Sequence, residues 1–139
     1  MKLHGWNSFL LLGIILNIAT AKESCMDGKI RYTQGAERIE TAASYCLVTD
    51  SKHKDKFLVS KRCKDLKCAP PRKPLIIENF YSQFGSPTFK VCHELGGRGQ
   101  VIQYWNNKWI DSDRCIFDQD NYIETTYLYV LWEDIIIKK

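Results

Sequence analysis

Six cysteines, Cys25, Cys46, Cys63, Cys68, Cys92 and Cys115, all follow a short apolar leader, and this arrangement constrains the chain more than any other feature. Met1-Lys2 makes a basic start, an apolar run extends from Phe9 to Ile18, and Ala19-Thr20-Ala21 offers a small-x-small cleavage site. That is the layout of a secretory signal peptide. The run falls short of the roughly 20 residues that a membrane span needs. Cys25 follows Lys22-Glu23-Ser24 rather than the small residues of a lipobox. The expected mature chain is therefore 22–139, exported to the periplasm or the extracellular medium. An even cysteine count in an oxidising compartment reads as three disulfides. Each stabilises by roughly 2–4 kcal/mol, largely by restricting the unfolded chain.

Spacing leaves the pairing open. Cys46–Cys63 closes a hairpin and leaves Cys25 for Cys68; Cys63–Cys68 with Cys25–Cys46 is equally accessible. A zinc site would want two close ligand pairs of the C-x-x-C kind. Cys63 and Cys68 are five apart with no second such pair, and His93, next to Cys92, is badly placed to share an ion with it. Neither a metal nor a cofactor is expected.

A chain that is 45% hydrophobic and 26% charged is a folded one, which excludes low-complexity disorder, collagen-like repeats and a multi-span membrane protein. A net charge of +4 is too balanced to make nucleic acid the main partner. The distribution says more. Nine Lys or Arg crowd 52–73 against Asp55 and Asp65, and seven acids crowd 111–137 against Arg114. The bland reading is two solvated surfaces that partly neutralise each other. The sharper one is a basic patch, 52–73, for an anionic surface such as lipid head groups.

Local patterns predict an α+β protein: short antiparallel hairpins and one short helix, held by disulfides. Lys29–Thr33, Tyr45–Thr49 and Phe57–Ser60 are rich in strand formers. Gly28 and Gly35 read as turn residues, and the polar stretch 50–56 as a mobile, basic hairpin tip. The prolines of Ala69–Pro74 forbid a central strand or helix and divide the chain. The expected organisation is a signal peptide at 1–21, a β-rich extension at 22–74 and a helix-plus-hairpin module at 75–139. Ser86 as cap, Pro87 at the first position and Gly96 beyond the end mark a helix with Phe89, Cys92 and His93 on one face. Gln100–Trp105 and Lys108–Ile110 then form a hairpin about a two-residue Asn106-Asn107 turn. That turn sets Trp105 opposite Lys108 and Tyr104 opposite Trp109, with Trp105 and Trp109 on opposite faces and Trp105 exposed. For 122–137 helical and strand signals compete.

The stretch from about 85 to 129 resembles the DUF333 family, bacterial exported domains of unknown function that carry a haemolysin label. The matching elements are Ser86-Pro87, Cys92 followed by Gly96-Gly97, and Cys115-Ile116-Phe117-Asp118. Asp118–Tyr122 departs from the family, whose members continue with a further cysteine and tryptophan. The resemblance implies a disulfide-linked helix-plus-hairpin module from a bacterial envelope, and it favours Cys92–Cys115 as a pair. Haemolysis does not follow from any chemistry in these residues.

No nucleophile elbow, phosphate loop or H-E-x-x-H motif is present, and an even cysteine set leaves no thiol for a Cys–His pair. The carboxylates Asp111, Asp113, Asp118 and Asp120 read as turn-forming and solvating residues rather than a catalytic pair or a calcium loop. The expectation is a non-catalytic binding module, with Tyr104, Trp105, Lys108 and Trp109 as candidate binding residues for a protein partner. An envelope-enzyme inhibitor acting from the same hairpin and a membrane-surface protein acting through 52–73 are the alternatives.

Overall fold

The computed structural model describes residues 24–118 and 120–139; the expected signal peptide lies outside them. A long hairpin comes first, β1 (Ser24–Gln34) and β2 (Glu37–Thr49), turning at Gly35, whose φ is +61°. β3 (Lys56–Ser60) returns along β2 with Tyr45 paired to Ser60 and Thr49 to Lys56. A 3-10 turn (Lys61–Cys63), the proline segment and a short strand β4 (Leu75–Ile77) lead to helix α1 (Pro87–Glu94). Then come β5 (Arg98–Trp105), β6 (Trp109–Asp118), β7 (Asn121–Ile123) and helix α2 (Thr125–Trp132). The last strand, β8 (Ile136–Lys138), pairs in parallel with β4.

Six strands close into a barrel in the order β1-β2-β3-β7-β6-β5. Segment 22–74 supplies three of them and 75–139 the other three. The protein is thus mostly β, with two short helices where the sequence predicts one. Alternation along each strand sorts the side chains. Ile30, Tyr45, Leu47, Leu58, Ile102 and Tyr122 fill the barrel. Cys46, Val48, Phe57, Val59, Cys115 and Ile123 face outward and are covered by α1, α2 and β4. The ambiguous tail, 122–137, is strand at both ends and helix over Thr125–Trp132, because Tyr127, Leu128 and Trp132 fall on the face that roofs this outer layer, with Tyr127 stacked on Phe57 at 4.8 Å. Gly28 is not a turn residue. It lies mid-strand in β1, where a Cβ would overlap the Tyr45 hydroxyl.

The disulfides are Cys25–Cys46, Cys63–Cys68 and Cys92–Cys115. Cys25 and Cys46 are direct partners across β1 and β2. Cys63–Cys68 closes the loop after β3. Cys92–Cys115 fastens α1 to the barrel wall at β6, a loop 23 residues long whose closure restricts the unfolded chain by about 3 kcal/mol.

Helix α1 ends as its sequence predicts. Gly96 takes φ +82°, its N–H donates to the His93 carbonyl at 2.9 Å, and the Gly97 N–H donates to the Cys92 carbonyl at 3.0 Å. This is a Schellman cap. Ser86 stands at the N-cap without a side-chain capping bond. His93 is exposed, so the buried face of the helix is narrower than the spacing suggests. Gly97 serves as more than a turn: a Cβ there would overlap the Cys115 sulfur and press on that of Cys92. Gly97→Ala is therefore expected to cost about 1–3 kcal/mol by overpacking against a covalent crosslink that does not yield. Urea unfolding of the oxidised protein measures it. Gly96→Ala, strained only at the backbone, is expected to cost about 1 kcal/mol.

Candidate functional site

The β5–β6 hairpin turns through three residues, not two. Only Asn107 takes a positive φ, 60°, whereas a type I′ turn needs it at both central positions. The loop therefore includes Lys108, whose carbonyl accepts from the Asn106 N–H at 2.9 Å. The register moves by one: Trp105 faces Trp109, Tyr104 faces Ile110 and Gln103 faces Asp111. Directly opposed residues share a face. Trp105 and Trp109 therefore lie together, edge to face at 5.3 Å, instead of on opposite sides. Tyr104 turns inward, half-buried, and meets Tyr45 edge-on at 5.7 Å. Trp105 is 42% exposed, and Lys108 is exposed on the turn.

Strand β1 adds a residue that the sequence pattern does not flag. The Arg31 guanidinium lies over the Trp109 ring, 4.1 Å from its centroid, and its Nε donates to the Gln103 side-chain oxygen at 2.5 Å. The Gln103 amide in turn donates to Asp111 at 2.6 Å. Arg31, Gln103 and Asp111 thus brace one edge of the tryptophan pair. From inside the barrel the Tyr45 hydroxyl donates to the Trp105 carbonyl. Trp132, the other large indole of this half, is buried beneath the helical layer.

The basic stretch divides. Lys52 pairs with Glu133 at 2.7 Å, His53 Nε2 lies 3.7 Å from the same carboxylate, and Arg72 pairs with Asp134. The basic middle and the acidic end therefore meet at this corner. The tip at 50–56 is folded rather than loose. Asp50 accepts from the His53 N–H at 2.7 Å and lies 2.8 Å from its Nδ1, and the Lys54 N–H donates to the Asp50 carbonyl at 2.8 Å. The two His53 bonds, the backbone one first, hold the Asp50 carboxyl below its ordinary range. Lys61, Arg62 and Lys64 face elsewhere, into a cleft at the mouth of the barrel.

Asp111 is held by Gln103, while Asp113 accepts from the Thr125 N–H at 3.1 Å and from its hydroxyl, which ties down the start of α2. Asp118 and Asp120 are exposed. Among the described residues no cluster of His, Cys, Asp or Glu is placed to hold a metal ion. The unusual carboxyl is one that no local pattern marks. Glu124 is folded back over β3, where its carboxylate accepts from the Leu58 N–H at 2.7 Å. Burial, with a smaller push from Asp113, raises its pKa from 4.5 to about 7 despite the lowering effect of that bond.

A carboxyl whose pKa is higher folded than unfolded binds more protons in the native state. Its contribution is fully present below about 4.5 and is lost as pH rises through about 7, a loss on the order of 3 kcal/mol. The melting temperature is thus expected to fall between pH 5 and pH 8. Glu124→Gln, whose amide oxygen still accepts from Leu58, is expected to flatten that slope and to be the more stable protein at pH 8. Thermal melts of both proteins across this range provide the check.

No protein-family model, curated protein or solved structure matches this chain.

Proposed function

We propose that this is an exported, non-catalytic binding protein that takes a protein partner on the outer face of the β5–β6 hairpin. The observation that carries the reading is the half-exposed Trp105–Trp109 pair with Arg31 stacked upon it. Trp and Arg dominate binding energy at protein interfaces, because each buries a large rigid surface and keeps a polar edge for a partner. The pair sits on paired strands rather than on a free loop, so little ordering is needed on contact. Export is supported by three disulfides and by the absence of a free cysteine among the described residues, an arrangement suited to an oxidising compartment. The resemblance of 85–129 to DUF333 adds a bacterial envelope setting. Inhibition of an envelope enzyme is one form this binding takes, with the hairpin as the inserted element. Attachment to an anionic surface through 52–73 draws less support, since Lys52 and Arg72 already face acids of the same chain.

The test is affinity capture with the oxidised protein, immobilised and exposed to envelope and culture-medium extracts. A discrete protein retained by the wild type and lost with Trp105→Ala is the expected result. Trp105 is 42% exposed, so its truncation is expected to cost the fold only about 1 kcal/mol, read by urea unfolding. Equal retention by both proteins overturns the hairpin as the site.

A further inference from the structure

We propose that the mouth of the barrel is a second binding site, built to take a small organic phosphate on Arg114 and Tyr122. It lies at the other end of β5 and β6 from the hairpin turn and does not depend on the reading of that hairpin. The cleft has a volume of about 860 Å³, within the range of small-molecule sites and larger than a lone inorganic anion requires. Five basic residues line it, Lys61, Arg62, Lys64, Arg98 and Arg114, against one acid, Asp120.

Two donors on its floor, Arg114 and Tyr122, have no anion beside them among the described residues. Arg114 projects inward from β6, between the rings of Tyr122 and Tyr32, whose centroids lie 4.7 and 5.6 Å from its guanidinium carbon. Its Nε and Nη2 donate to the Gln100 side-chain oxygen at 2.9 and 2.7 Å. Among the described residues it has no carboxylate within ion-pair distance, and its Nη1 has no acceptor. Arg114 is only partly buried, so its free Nη1 is left to the solvent of the cleft, where an anion would meet it with less competition from water than on an open surface. Beside it, in a residue only 3% exposed, the Tyr122 hydroxyl has no acceptor among the described residues, and its polar neighbour there is Arg114, itself a donor. Both groups are donors, and an anion seated between them satisfies both.

The wider lining selects the anion. A phosphate ester brings up to two charges and three acceptor oxygens, which matches a forked guanidinium and a hydroxyl together. Lys61, Arg62, Lys64 and Arg98 surround the entrance, where they draw an anion in. Ala43, Ile116 and the Tyr32 ring supply an apolar wall for the organic part of the ligand. The same phosphate arrives either on a free metabolite or on a lipid head group.

Calorimetric titration with inorganic pyrophosphate tests the free form. Sedimentation with phosphatidylcholine vesicles, with and without phosphatidylglycerol, tests the lipid form. The wild type is expected to bind one of these probes. Tyr122→Phe is expected to weaken that binding about tenfold, since it removes a hydrogen bond to a charged group. It is also expected to leave the melting temperature of the free protein unchanged or higher, because the lost hydroxyl has no acceptor there among the described residues. Arg98→Ala is expected to weaken binding, and Lys108→Ala, a cation on the hairpin turn, is expected not to. Binding of neither probe overturns the proposal. So does binding that Tyr122→Phe leaves intact, or that Lys108→Ala weakens as much as Arg98→Ala, for then the attraction is a diffuse effect of net charge.

Discussion

Closure of the barrel rests on two narrow seams. β1 meets β5 through Ile30–Tyr104 and Arg31–Gln103, and β3 meets β7 through Val59–Ile123. A closed sheet has no free edges, but seams this short need support from both sides. Inside, Tyr45 crosses the barrel to the Trp105 carbonyl, in the space that Gly28 leaves open. Outside, the helical layer covers β2, β3, β6 and β7, and Cys92–Cys115 fixes that layer to the wall. The Leu58 and Glu124 backbones and the Glu124 carboxylate add bonds where β3 passes the end of β7. Each feature of functional interest hangs on this closure. The tryptophan pair is braced by a residue from β1, and the cleft is ringed by residues from both halves of the chain.

Much of the local structure was legible in the sequence. The β2–β3 hairpin, the α1 boundaries and the Gly96 cap follow from side-chain shape and backbone freedom within a few residues, and such signals survive folding. The Cys92–Cys115 pair came from the DUF333 resemblance, and Cys25–Cys46 with Cys63–Cys68 was one of two open pairings. The hairpin register failed by one residue because Asn-Asn tolerates more than one turn, and a single-residue shift carries Trp109 to the other face. The helix at 125–132 was undecided because its β-branched and aromatic residues serve packing on the barrel and not local preference.

The chemistry of the candidate sites was less legible, and for a different reason. Arg114, Tyr122 and Glu124 look ordinary in the chain. They become unusual when strands far apart in sequence close around them and remove much of their water without supplying an opposite charge. Burial raises the pKa of Tyr122 to about 12 and lowers that of Arg114, two signs of one poorly solvated space. The charge runs were legible only in part. Lys52 and Arg72 stand out in the sequence, yet they meet acids of the chain's own end, whereas Lys61, Arg62 and Lys64 of the same stretch turn towards the cleft.

The carboxyl of Glu124 also makes folding a proton-uptake reaction. At a pH midway between its unfolded and folded values, the chain takes close to one proton from the medium as it folds. That proton comes from the buffer, whose own heat of ionisation then enters any calorimetric enthalpy of unfolding. Two buffers at the same pH, one with a large ionisation heat and one with a small, will report different apparent enthalpies for a protein whose packing is identical in both.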